Sequence, residues 1–141
     1  MKKITFLLAL TLIMLTAKTN GQDDSKRECT IKYNLFKGDF QSKKYDAAYT
    51  NWIYLMDNCK DLSVNIYKYG ATLAEDVKKD PVLAKRVYEQ RLQYFPKNNP
   101  AKVHSDYATY LAKNKLASED EIFKILEKGY SIDPTKMGVK N

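Results

Sequence analysis

Apolar residues recur at helical spacing from residue 28 onward, and this periodicity constrains the fold more than any other feature of the sequence. In one segment the apolar and small residues occupy positions i, i+3, i+4, i+7, i+8 and i+11, namely Ile66, Tyr69, Gly70, Leu73, Ala74 and Val77. This spacing places side chains on one face of an α-helix. No segment alternates with period two over more than a few residues, as a half-buried strand would. The sequence therefore predicts an all-α fold.

Helix start and stop signals divide the pattern into six predicted helices. Asp80 and Asn99 each precede a proline suited to the first helical position, so both are predicted to cap a helix. Ser118 and Glu121 have the spacing of a capping box. The predicted helices cover residues 28–41, 45–58, 62–78, 81–94, 100–113 and 119–130. Because the connections are short, neighbouring helices must pack antiparallel, as in a bundle or a solenoid.

The first 21 residues have the layout of a secretory signal peptide. Lys2 and Lys3 precede an apolar run from Ile4 to Ala17, and a short polar segment ends at Gly21. As a helix, this run would span roughly 21 Å, less than the ~30 Å hydrocarbon core of a bilayer. We expect cleavage after Gly21 and export to the periplasm or cell envelope, or secretion. An uncleaved membrane anchor is the alternative.

Charge excludes one class of partner. The chain has 24 Lys and Arg against 17 Asp and Glu, and three of the basic residues lie in the predicted signal peptide. The remainder has 21 basic against 17 acidic residues, a net charge of +4, with the two signs interspersed. Nucleic-acid-binding proteins instead cluster Lys and Arg on one face. We therefore expect no nucleic-acid partner.

Internal repetition distinguishes a solenoid from a bundle. Ala48 and Ala84 are 36 residues apart, as are Trp52 and Tyr88. These pairs resemble the second helix of a tetratricopeptide repeat, in which a small residue precedes an aromatic residue by four positions. Other matching segments are Tyr69-Gly70 and Tyr107-Ala108 in first helices, and Phe95-Pro96 and Ile132-Asp133-Pro134 at the repeat ends.

The resemblance implies antiparallel hairpins of about 34 residues each, stacked as a short solenoid of about three repeats over residues 28–134. Residues 22–27 would form an exposed linker, and residues 135–141 a tail or the start of a further helix. An unrelated helical bundle is the alternative.

The layout is also similar to that of exported repeat proteins of Bacteroidota-type bacteria. The matching segments are Cys29, Tyr45 to Tyr49, Trp52, Asn58-Cys59 and Ile66 to Gly70. Because those proteins are longer, the resemblance implies an amino-terminal segment of a longer repeat protein or a shortened relative.

The two cysteines, Cys29 and Cys59, both follow the predicted cleavage point and so meet an oxidising compartment, where an even count indicates a disulfide. They lie at the start of the first predicted helix and the end of the second, which an antiparallel pair brings together. Two separate buried thiols are the alternative. We expect no metal site, because these cysteines and the distant His104 cannot complete a tetrahedral set of ligands.

The sequence lacks the motifs of catalysis. It contains no nucleophile elbow, phosphate-binding loop or metalloprotease motif, and its one histidine, His104, has no evident partner. We expect neither enzymatic activity nor a cofactor.

The resemblance further implies a concave groove lined by the first helices, which would hold a peptide or another protein. The residues predicted to line it are Tyr33, Lys37, Phe40, Gln41, Tyr67, Ala71, Glu75, Asp106, Thr109 and Lys113. The alternative is that these side chains only cover the surface of the solenoid and bind no partner. The expected function is that of an exported protein–protein interaction scaffold. The alternatives are a module that binds polyanions or the envelope surface, or a purely structural segment whose open end docks on further repeats or self-associates.

Overall fold

The computed structural model describes residues 20–138, and all regular secondary structure in that range is helical. The helices are α1 (Asn20–Gln41), α2 (Tyr45–Asn58), α3 (Asn65–Thr72), α4 (Pro81–Tyr94), α5 (Pro100–Asn114) and α6 (Glu119–Ile132). A π-helical turn (Leu73–Val77) continues α3, and a 3₁₀ turn (Pro134–Lys136) follows α6. The predicted all-α class is confirmed.

The amino end differs from the prediction. Helix α1 is already formed at Asn20, the first described residue, so residues 22–27 are helical instead of forming a linker, although residues 23–27 are exposed. Asp23 lies in the first turn, where a negative charge is favourable to the helix dipole. Residues 1–19 of the predicted signal peptide and residues 139–141 of the predicted tail lie outside the described range.

Three antiparallel hairpins follow one another: α1 with α2, α3 and its π turn with α4, and α5 with α6. In each hairpin the connection contains a lysine with positive φ, namely Lys43 at 59°, Lys79 at 51° and Lys115 at 55°. This left-handed conformation is common where a helix ends but rare for residues other than glycine. The three lysines are spaced 36 residues apart, so the backbone repeats with the period of the sequence pattern.

The helix caps agree with the sequence at two of the three predicted places. The Asp80 carboxylate accepts hydrogen bonds from the backbone N–H groups of Val82 and Leu83 at 2.9 and 3.1 Å. Ser118 and Glu121 form the predicted capping box. The prediction for Asn99 is wrong, because its φ of 54° places it in the left-handed region and its side chain makes no capping hydrogen bond. A capping residue normally has an extended backbone.

The first hairpin is joined covalently. Cys29 and Cys59 lie at disulfide distance, with 2.08 Å between the sulfurs and 5.7 Å between the Cα atoms. The predicted pairing of the start of α1 with the end of α2 is therefore present in the structure.

The first and second hairpins meet at Trp52, which is fully buried. Its indole N–H donates a hydrogen bond of 2.9 Å to the carbonyl oxygen of Ile66, and a Cβ placed on Gly70 would lie 2.5 Å from its Nε1. The rings of Phe40 in α1 and Tyr69 in α3 also stack between these two hairpins, with centroids 4.6 Å apart. We call this contact the first joint.

The second and third hairpins meet where Tyr88 of α4 stacks on Tyr107 of α5, with ring centroids 4.8 Å apart. We call this contact the second joint. In both joints, an aromatic side chain from the second helix of one hairpin packs on the first helix of the next.

The π turn widens the end of α3. The N–H of Lys78 donates to the carbonyl oxygen of Leu73, five residues earlier, at 2.8 Å. The Lys78 ammonium group lies 2.9 Å from the Asp46 carboxylate and 4.6 Å from the centre of the Tyr49 ring. The π turn therefore ends against the start of α2, and the turns of the first two hairpins lie on the same edge of the molecule.

Candidate binding groove

A groove of about 780 Å³ lies between the second and third hairpins. One wall is α3 with its π turn, the opposite wall is α5, and α4 supplies the floor. We call it the central groove.

Half of the predicted groove residues line the central groove. Ala71 and Glu75 contribute from the second hairpin, and Asp106, Thr109 and Lys113 contribute from the third. The predicted residues of α3 and its π turn and those of α5 therefore lie on the same cavity.

The predicted residues on α1 are not brought to this groove. Tyr33 instead faces the loop before α3, where its hydroxyl accepts hydrogen bonds from Ser63 Oγ at 3.1 Å and Asn65 Nδ2 at 3.3 Å. Phe40 belongs to the first joint. The remaining two, Lys37 and Gln41, also lie outside the lining of the groove.

Tyr67 is a correction to the sequence-based set. Its side chain is completely buried, and its hydroxyl donates a 2.7 Å hydrogen bond to the carbonyl oxygen of Lys60. Burial raises the pKa of Tyr67 well above the usual value. A tyrosine held in this way stabilises the loop between the first two hairpins and cannot contact a ligand in the groove.

The floor is built around Tyr88. Its hydroxyl donates a 2.5 Å hydrogen bond to Glu75 Oε1, which links α4 to the π turn. Burial, and secondly this bond to a carboxylate, raise the pKa of Tyr88. The Tyr88 hydroxyl therefore stays protonated at physiological pH and holds Glu75 in place.

Arg91 lies one helical turn beyond Tyr88 on the same floor. Its Nη2 donates to Asn98 Oδ1 at 3.2 Å, and its Nε is buried with no hydrogen-bond partner among the described residues. Burial lowers the pKa of Arg91, while the charge of Asp106 acts in the opposite direction. A half-buried cation therefore lies at the base of the groove.

The charges around the groove favour a negatively charged occupant. Asp106 is bound by Lys102 on the same helix, with N–O distances of 2.6 and 2.8 Å, so much of its charge is already neutralised. Lys68, Lys79 and Lys113 are exposed at the rim. Together with Arg91 they outnumber the lining carboxylates.

The floor was not predicted from the sequence, because the resemblance assigns the groove to first helices alone. Tyr88 was identified only as a position of the repeat, and Arg91 was not singled out. The available signal was their three-residue spacing on α4, which places both on one face.

Other kinds of site are not evident in residues 20–138. His104 lies outside the central groove, where burial and the charge of Lys128 lower its pKa. Across these residues, no three His, Cys, Asp or Glu side chains come together in an arrangement that could hold a metal ion. None of the helices described above has the length and apolarity needed to cross a bilayer.

Comparison with known proteins identifies no relative. No family model matches the chain, and no curated protein or solved structure is significantly similar to it.

Proposed function

We propose that this protein is an exported, non-catalytic scaffold of tetratricopeptide type that binds an extended segment of another polypeptide in the central groove. Its place of action would be the periplasm or the cell envelope, as the leader-like residues 1–21 indicate.

The repeat architecture supports the tetratricopeptide part of the proposal. The lysines with a left-handed backbone conformation recur every 36 residues. In both joints, the second helix of one hairpin packs on the first helix of the next hairpin. Hairpins joined in this way stack side by side, which leaves a concave surface along the first helices.

The observation that carries the binding role is the central groove itself. It is flanked by two helices. Its floor contains Arg91, whose half-buried guanidinium group is a forked hydrogen-bond donor, and Tyr88, which holds Glu75 in place. Because the uncommitted charges at its rim are mostly positive, we expect an acidic segment to bind better than a basic one.

An array of extended peptides tests this proposal, with acidic, neutral and basic sets of equal length. We expect acidic peptides to be retained by the purified protein. Substitution of Thr109, which is exposed on the α5 wall, by Trp should fill the groove and weaken retention by about tenfold or more.

Ala112→Trp is the matched control, because Ala112 is exposed on the same helix but does not line the groove. It should leave retention unchanged. The proposal is wrong if none of the peptide sets binds, or if Thr109→Trp and Ala112→Trp behave alike.

A further inference from the structure

The two joints use equivalent positions of the repeat. Trp52 is the eighth residue of α2 and Tyr88 the eighth residue of α4, counted from Tyr45 and Pro81. Each packs on the first helix of the following hairpin. The eighth residue of α6, counted from Glu119, is Leu126.

The face of α6 centred on Leu126 has no hairpin after it within the described residues. Phe123 and Tyr130 lie one turn before and one turn after Leu126 on this face, and their side chains are 65% and 67% exposed. The segment after α6 turns towards α5, where Ser105 Oγ donates to the carbonyl oxygen of Gly138 at 3.3 Å. It therefore leaves Phe123 and Tyr130 uncovered. We call this surface the trailing face.

The opposite end of the molecule has the complementary position. Tyr107, which forms the second joint, lies eight residues before the left-handed Lys115, and Val103 lies twelve before it. The residues eight and twelve before Lys43 are Leu35 and Ile31.

Ile31 and Leu35 are 49% and 50% exposed on α1. In α3 the corresponding residues are Gly70 and Ile66, each displaced by the one extra residue of the π turn, and both contact Trp52. We call the surface of Ile31 and Leu35 the leading face, because it is the face that receives a preceding hairpin in the other two repeats.

Charge at the same edge fits this register. Asp46, the second residue of α2, pairs with Lys78 at the turn of the following hairpin, at 2.9 Å. The second residue of α6 is Asp120, which is exposed and forms no ion pair with another described residue. In the first hairpin Ser42 holds the position of Lys78, and the next residue, Lys43, forms no ion pair with another described residue.

We propose that a second copy of this chain docks head to tail, with the trailing face of one copy on the leading face of the next. The contact repeats between molecules the joint that is used twice within each molecule. Phe123 and Tyr130 cover Ile31 and Leu35, and Asp120 meets Lys43 of the following copy. Because the two faces differ, the contact is head to tail, and copies add beyond a dimer, in an open row or a closed ring. This assembly uses surfaces outside the central groove and does not depend on peptide binding.

Sedimentation of the purified protein, expressed as the full chain, tests the proposal over a range of concentrations. We expect reversible association that continues beyond a dimer as concentration rises. Blocking the trailing face with Phe123→Glu and Tyr130→Glu, or the leading face with Ile31→Glu and Leu35→Glu, should weaken association by about tenfold or more.

The decisive measurement is a mixture of the two blocked proteins. Each retains one intact face, so the mixture should form a one-to-one dimer and stop there, while each variant alone stays monomeric. Val82→Glu is the matched control, because Val82 is also an exposed apolar residue but lies on neither face. It should leave association unchanged.

A wild-type protein that stays monomeric at millimolar concentration would overturn the proposal. A variant blocked only at the leading face that still dimerises alone would also overturn it, because the proposed contact needs a leading face and this variant has none. Loss of helicity in a blocked variant is detected by circular dichroism. In that case a charge exchange replaces the blocked variants. Asp120→Lys and Lys43→Asp should each weaken association when introduced alone, and the double variant should associate as the wild type does. A double variant that associates no better than the single variants would contradict the proposal.

Discussion

The first and third hairpins have the same backbone plan but are held together by different means. The first contains the disulfide and a core of large side chains with no exposed surface, among them Phe36, Trp52 and Leu55. In the third, α6 has a single buried residue, Gly129, and its largest apolar side chains face solvent. The difference indicates that stability decreases from the amino end towards the carboxyl end, since buried apolar area is the main stabilising contribution.

Removing the disulfide should have the largest effect on the difference in stability between the first and third hairpins. Cys29→Ser with Cys59→Ser opens a loop closed across 30 residues, which should lower the free energy of unfolding by about 3–4 kcal/mol. Urea denaturation measures this change, with the wild-type protein in reductant as the control. Native-state hydrogen exchange should show faster exchange in α1 and unchanged exchange in α6. Equal acceleration in both helices would contradict a stability that differs between the hairpins.

Replacing either of the two buried glycines, Gly70 and Gly129, by alanine should have the next largest effect on stability. A Cβ at Gly70 would lie 2.5 Å from the buried Trp52 ring, whereas one at Gly129 would meet its nearest neighbour, His104 Cβ, at 3.0 Å. We expect Gly70→Ala to destabilise by about 1–3 kcal/mol and Gly129→Ala by less, because α6 can shift more easily than the first joint.

Thermal unfolding of both variants checks this prediction, and Gly38→Ala is the control because nothing lies within 4 Å of its added methyl group. That change should be neutral or slightly stabilising, since alanine favours the helix. A larger loss for Gly129→Ala than for Gly70→Ala would reverse the proposed order of the hairpins.

Loss of a cap should have the smallest effect on global stability but a clear local one. Ser118→Ala removes the capping box of α6, and Asp80→Ala removes the cap of α4. Each should cost about 1 kcal/mol. Because α6 is held mainly by one face, we expect Ser118→Ala to appear as faster hydrogen exchange within α6 alone, whereas Asp80→Ala should lower the midpoint of global unfolding. Identical behaviour of the two variants would show that the hairpins unfold as one unit.

The sequence predicts the helices well because their boundaries depend on local chemistry. Proline at the first helical position, the Asp80 cap and the capping box at Ser118 act within a few residues, so no tertiary information is needed. Asn99 is the exception, since the same side chain also favours the left-handed backbone that it adopts here.

The groove is only half predictable from the sequence. Tyr67 lies in the core, although a comparison of the repeats assigns it to the groove, and its hydroxyl is bonded to the carbonyl oxygen of Lys60 in the loop before α3. Spacing along one helix does not encode such a contact with a neighbouring loop. The floor residues Tyr88 and Arg91 depend on how neighbouring hairpins pack, which periodicity along the chain does not encode.

The single tryptophan gives this protein a built-in optical probe of one contact. Trp52 is fully buried, and its indole N–H is bonded to Ile66 across the first joint. Its emission should therefore shift to longer wavelength only when the first two hairpins separate. Detachment of α6 would leave the emission unchanged, so a lag between the loss of helical circular dichroism and the fluorescence shift would time the two events separately.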